Sequence, residues 1–95
     1  MPNIEVHGVT KEQTAFLRKR LVNALKKASC AKEIVISFVS SEVVDLDGVR
    51  QPFLRLWMTG ENAKKGLVKE LVPLLDTIGF DIEVVELKAF APKRK

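Results

Sequence analysis

One pattern occurs twice along this chain, and the repeat limits its fold more than any other feature. Pro2-Asn3-Ile4-Glu5-Val6 aligns over Pro52-Phe53-Leu54-Arg55-Leu56, and the next apolar segment starts 31 residues after the first proline, at Glu33, and 29 after the second, at Asp81. The match is in pattern, not identity. Between the members of each pair lie apolar residues spaced by three and four, so each half reads strand, helix, strand. Two tandem β-α-β units follow, and the expected fold is α/β (α+β) with a mixed four-stranded sheet. Crossovers between parallel strands are right-handed, which places both helices on one face of that sheet.

The local signals support each element. Ile4 and Val6 fall on one side of a strand, with Asn3, Glu5 and His7 on the other. Thr10 followed by Gln13 resembles a capping box, and Leu17, Leu21, Ala24, Leu25 and Ala28 form the apolar stripe of a helix ending near Ser29. Glu33 to Val39 is β-branched and apolar at almost every position, as a strand covered on both faces would be. Asp47-Gly48, between Val43-Val44 and Val49, marks a hairpin turn within residues 40–51. Pro52 to Met58 is a third strand. A second helix runs from about Asn62 to Ile78 across an awkward Pro73, where a bend is expected, and Gly79 sits where a left-handed cap is wanted. Asp81 to Leu87 is the fourth strand. The result is a single domain over 1–90, with units 2–40 and 52–88 joined by the 40–51 hairpin loop and followed by a basic tail, 91–95.

Composition narrows the setting. The formal charge is +4, but removing Lys93, Arg94 and Lys95 from 16 basic residues leaves 13 against 12 acidic ones, a body near +1. The basic balance is mostly a solvated tail, and nucleic acid is not expected as a partner. No uncharged run approaches the roughly 20 residues that a membrane-spanning helix needs, and no secretory signal is present, so a cytoplasmic protein without membrane contact is expected. One cysteine, Cys30, and one histidine, His7, make neither a disulfide nor a zinc cluster, so neither metal nor cofactor is expected. Phe53 and Trp57 lie opposite Leu54, Leu56 and Met58, and Val35 and Val39 lie opposite Ile34, Ile36 and Phe38. An apolar second face of this kind predicts a homo-oligomer in which sheets pack between subunits.

Met1-Pro2 leading directly into the first strand, Gly8 and Thr10-Lys11-Glu12-Gln13 opening the first helix, and the doubled β-α-β plan together resemble the tautomerase superfamily, the group of macrophage migration inhibitory factor and oxalocrotonate tautomerase. The segments around Asp47-Gly48, Pro52-Phe53 and Leu75-Phe80 are similar to a little-studied bacterial branch of it. The resemblance implies a tautomerase/MIF-like fold, assembly as a trimer, and an isomerase that moves a proton alpha to a carbonyl. Its base would be Pro2 once Met1 is removed, because a free proline nitrogen is a basic secondary amine and an acylated one is not. A small carbonyl or carboxylate substrate would then need a cation, and Lys32, Arg50 and Arg55 are the candidates. The arginines of oxalocrotonate tautomerase correspond here to Val9 and, on strand two, to a position near Val35, and the lysine after helix one of the macrophage factor aligns near Ser29 or Cys30.

Two other readings remain open at the level of sequence. The same element order describes a ferredoxin-like module that binds a small ligand or RNA, although strand-borne aromatics are few and tyrosine is absent. The missing arginines also allow a non-catalytic subunit on the tautomerase scaffold. His7 and Cys30 read as structural residues, Phe53 and Trp57 as interface or pocket walls, and Asp45 and Asp47 as servants of the turn.

Overall fold

Each half of the chain pairs its own two strands in parallel, and the halves join back to back. A computed structural model describes residues 2–59 and 66–87, with strands β1 (Asn3–His7), β2 (Val35–Phe38), β3 (Phe53–Thr59) and β4 (Asp81–Leu87) and helices α1 (Lys11–Leu25) and α2 (Leu67–Asp76). The sheet order is β2-β1-β3-β4. Strands β1 and β2 are parallel, as are β3 and β4, while the two central strands run antiparallel. The mixed four-stranded sheet expected from the repeat is therefore present. The ferredoxin-like alternative is overturned, because that fold splits each β-α-β unit with an intervening strand. Here Asn3 pairs directly with Val35 and Phe53 directly with Asp81.

Both helices cover one face. Ile4 and Val6 of β1 and Leu54, Leu56 and Met58 of β3 are buried in one cluster with Leu17, Leu21 and Leu25 of α1 and Leu71 and Leu75 of α2. These strand residues are alternate positions, so the sequence between them points to the opposite face. Among the described residues the helix-side core holds thirteen buried hydrophobic residues and no buried polar side chain, a small store of burial for a chain of this length.

Helix α1 opens as the capping signal predicts: the Thr10 N–H donates to Gln13 Oε1 at 2.8 Å, and the Gln13 N–H donates to the Thr10 carbonyl at 3.1 Å. It closes earlier than Ser29, at Leu25, and the chain then turns through a single 3₁₀ turn, Ala31–Glu33. The Glu33 N–H donates to the Cys30 carbonyl at 2.8 Å, which holds Glu33 out of the sheet and delays β2 to Val35. Pro73 lies within α2 on its exposed side, and Gly79 beyond it has φ +87°, the left-handed cap expected there. The predicted start of this helix near Asn62 lies outside the described residues, as does the basic tail.

The 40–51 segment forms the predicted ribbon, with Val44 bridged to Arg50. Asp45 builds it. Its Oδ1 accepts from the Asp47 and Val49 amides, both at 2.9 Å, and its Oδ2 accepts from Gln51 Nε2 at 3.1 Å. The Val49 amide, then those of Asp47 and the Gln51 side chain, hold the Asp45 carboxyl below its ordinary range. A depressed carboxylate stabilises the hairpin above the unfolded pKa, and that support disappears as pH falls through the lower folded value. The amide shifts of Asp47 and Val49 are accordingly expected to titrate together below about pH 4 in the native protein and to show no such step in Asp45→Asn. Independent titrations in an NMR series would contradict this account of the turn.

Candidate functional site

Pro2 stands at the N-terminal end of β1, fully buried, and its carbonyl accepts the Val35 amide at 3.0 Å. One step before the Asn3–Val35 pair, the register sets Pro2 beside Ile34 on the helix side of the sheet. Ile34 belongs to the floor of an open groove of about 240 Å³ between the end of α1, the 3₁₀ turn and β2. Val22, Leu25, Ala31 and Ile36 complete the apolar lining, and Lys26 and Lys32 stand on its rim. Parallel pairing makes this juxtaposition, because β1 and β2 begin at the same edge and the turn carrying Lys32 leads straight into β2. An apolar trough with two ammonium groups suits a small apolar anion. Cys30, in the same turn, is buried, and its thiol is pushed up first by burial and then by the Glu70 carboxylate, which keeps it protonated and passive.

The other candidate cations lie elsewhere. Arg50 sits at the opposite end of β1, where its Nη1 donates to the Gly8 carbonyl at 3.0 Å. Six residue steps separate Gly8 from Pro2, about 20 Å at the usual strand rise. Arg55 occupies the middle of the face that neither described helix covers. Its Nε donates to Glu83 Oε1 at 2.6 Å, its Nη1 lies 3.7 Å from Glu5 Oε1, and its guanidinium stacks 5.2 Å from the Phe53 ring centroid and 5.8 Å from that of Trp57. Of the four residues singled out in the sequence, Lys32 lines this groove and Pro2 adjoins its Ile34 in the sheet, while Arg50 and Arg55 lie elsewhere. Val9 and Val35, at the positions of the absent arginines, are an apolar residue packed on the core and an exposed edge-strand residue respectively.

The uncovered face is less apolar than the alternation of Phe53, Trp57 and Val35 suggests. Register sets three rows across it: Val35, Asn3, Trp57 and Val85, then Ser37, Glu5, Arg55 and Glu83, then His7, Phe53 and Asp81. The middle row is charged and internally paired. His7 Nε2 lies 2.9 Å from Glu5 Oε1, and the His7 ring stacks on Phe53 at 4.6 Å between centroids. The nearby Trp57 indole N–H, then His7, and less strongly Arg55, hold the Glu5 carboxyl below its usual range. That indole N–H approaches Glu5 closely enough to bias the carboxyl without reaching full hydrogen-bond geometry, for Trp57 Nε1 is buried with no partner among the described residues. Its cross-strand neighbour Asn3 holds a second such atom, Oδ1. A buried polar group left without a partner costs about 1–3 kcal/mol.

Sequence reasoning misses Lys26 and the Glu5–Arg55–Glu83 row. Lys26 lies one helical turn after Val22, and that spacing is a signal for its place beside the groove. The charged row emerges only once β1, β3 and β4 are set in register.

No protein-family model matches the chain, and no curated protein matches it. Among solved structures the chain is similar to a domain of unknown function from Sebaldella termitidis, at 19% identity over 95% of this chain and 90% of that one, with a TM-score of 0.47. It is similar to a macrophage migration inhibitory factor-like protein from Entamoeba histolytica, at 15% identity over 99% and 95% of the two chains and a TM-score of 0.47. A member of the cis-3-chloroacrylic acid dehalogenase family matches at 10% identity over 98% of this chain and 81% of that one, again with a TM-score of 0.47. Likeness at this level assigns no residue a role.

Proposed function

We propose that this chain is a subunit of a tautomerase-type isomerase that moves a proton alpha to the carbonyl of a small oxo acid, with Pro2 as its base once Met1 is removed. The observation that supports the reading is the strand register that sets Pro2 beside Ile34, one of the residues that line an apolar groove together with Lys26 and Lys32. The proline nitrogen takes the proton and returns it to another atom of the same substrate, so nothing is consumed. Lys32, with Lys26, holds the substrate carboxylate or steadies the enolate oxygen. An apolar surround and two nearby ammonium groups favour the neutral amine, the form that accepts a proton at neutral pH. The enzyme works as a homo-oligomer, a trimer on the plan the sequence resembles, and partners from a second subunit satisfy Asn3 and Trp57.

A second reading, a non-catalytic subunit on the same scaffold, is favoured by Arg50 and Arg55 both being engaged in contacts within the subunit. The two separate in one experiment. The intact mass of natively expressed protein is expected to lack Met1, and that protein is expected to convert enol- to ketophenylpyruvate faster than its Pro2→Ala variant. Retention of Met1, or equal turnover by the variant, leaves the non-catalytic reading.

A further inference from the structure

From Arg18 to Lys27 the chain carries five cations and no carboxylate. Among the described residues none of the five joins an ion pair. Two of them turn towards α2. Arg20, Asn23 and Lys27 follow one another at spacings of three and four, which sets them along one face of α1 and the turn that ends it. With Leu74, Thr77 and Ile78 they line a groove of about 350 Å³ between the two helices, and among the described residues no carboxylate lines it. A volume of that order suits a small ligand rather than a protein segment.

The guanidinium is held before any ligand arrives. Arg20 Nη2 donates to the Thr77 carbonyl at 2.7 Å, and its Cζ lies 5.7 Å from the Phe16 ring centroid, which leaves other N–H groups of the planar fork free to donate. The C-terminal end of a helix ordinarily repels anions. Here Arg20 takes the Thr77 carbonyl, and the Thr77 hydroxyl donates to the Leu74 carbonyl at 2.7 Å, so the carbonyls of two lining residues are already engaged. Glu70, one turn before Leu74, is committed to Ser29, whose hydroxyl donates to its Oε1 at 2.7 Å. We infer that this groove binds a small oligophosphate, a ligand with two or three linked phosphate groups, free or carried on an organic molecule. Arg20 and Lys27 stand seven residues apart, about 10 Å at the helical rise, so a single phosphate group meets one of them and a linked chain reaches both. Arg20 grips one phosphate with its fork, Lys27 supplies a point charge at the far end, and the Asn23 amide donates between them. The site is separate from the Pro2 groove, which is lined by Lys26 rather than Lys27.

The test is titration calorimetry on the full chain at about 0.15 M salt, where general attraction to a basic surface is screened, and without divalent cations. The probes are inorganic phosphate, inorganic tripolyphosphate and adenosine triphosphate. Tripolyphosphate is expected to bind at least about tenfold more tightly than phosphate, and Arg20→Gln and Lys27→Gln are each expected to weaken it by about tenfold to a hundredfold, the effect of losing one charge-assisted hydrogen bond. Lys27 is exposed and makes no hydrogen bond or ion pair among the described residues, so its variant should melt as the parent does and its loss of affinity reads the site, not the fold. Lys19→Gln removes the same charge from an exposed position that lines no part of the groove, and its affinity should stay within about twofold of the parent. Equal affinities for tripolyphosphate and adenosine triphosphate assign recognition to the phosphate chain alone, and tighter binding of the nucleotide adds contact with the apolar floor of Ala24, Leu74 and Ile78. No heat from either oligophosphate, equal affinity for inorganic phosphate, or an equal loss in Lys19→Gln overturns the inference.

Discussion

A glycine retained ahead of Pro2 is expected to lower kcat/KM for enol–ketone conversion by about a hundredfold to ten-thousandfold, the span of a lost general base. The extension turns the ring nitrogen from an amine into an amide and keeps the pyrrolidine ring beside Ile34, so any loss reports on basicity rather than on packing. Pro2→Ala probes the opposite combination, keeping a terminal amine and removing the buried ring. Its turnover should fall less than that of the extended chain. The pH profile gives an independent reading. A free α-amine ordinarily titrates near 7.7–8.0, and the apolar, cation-bearing site proposed for Pro2 would depress it. In the native protein kcat/KM should therefore rise with pH through a value below that range and then level off. The extended chain should show no such rise, and an identical profile for both chains would remove Pro2 from the chemistry.

The architecture is legible in the sequence because its signals are local and periodic. Alternation in Asn3–His7, the three-and-four spacing from Leu17 to Leu25, and Gly79 after α2 each specify an element without reference to the rest of the chain. The end of α1 is not legible in the same way, because Ala28 continues the apolar spacing and is indeed buried, although by then the backbone has left the helix. A side chain can occupy the face that a helix would give it while its backbone follows successive turns. The uncovered face misleads for a different reason. Phe53 and Trp57 signal an apolar surface within one strand, whereas Glu5, Arg55 and Glu83 become a single row only across three strands. The candidate site divides along the same line. Pro2 and Ile34, which shares a groove with Lys32, become neighbours because parallel pairing aligns the starts of β1 and β2, which the β-α-β plan already implies. The directions of Arg50 and Arg55 depend on a hairpin and a register that side-chain periodicity does not encode.

Gly8→Ala is expected to destabilise the fold by about 2–4 kcal/mol, an effect that arises where the hairpin meets the end of β1. Gly8 has φ +77°, and a residue with a Cβ pays about 1 kcal/mol or more there for the left-handed conformation alone. The added Cβ would also lie 3.0 Å from Pro52 Cα and 3.1 Å from Val43 Cβ. Backbone at the first contact cannot rotate aside, so the overpacking adds about 1–3 kcal/mol. For a domain of this size the sum lowers the thermal midpoint by roughly 10–25 °C. Gly48→Ala isolates the conformational part, since Gly48 has φ +80° and a methyl group placed there would meet nothing within 4 Å. It should cost about 1 kcal/mol and lower the midpoint by only roughly 4–8 °C. Equal melting shifts for the two variants would mean that the approach of Pro52 and Val43 contributes nothing. A larger shift at Gly8 identifies the junction on which both the hairpin tip and the Arg50 contact depend, because the same glycine donates to Ser41 and accepts from Arg50.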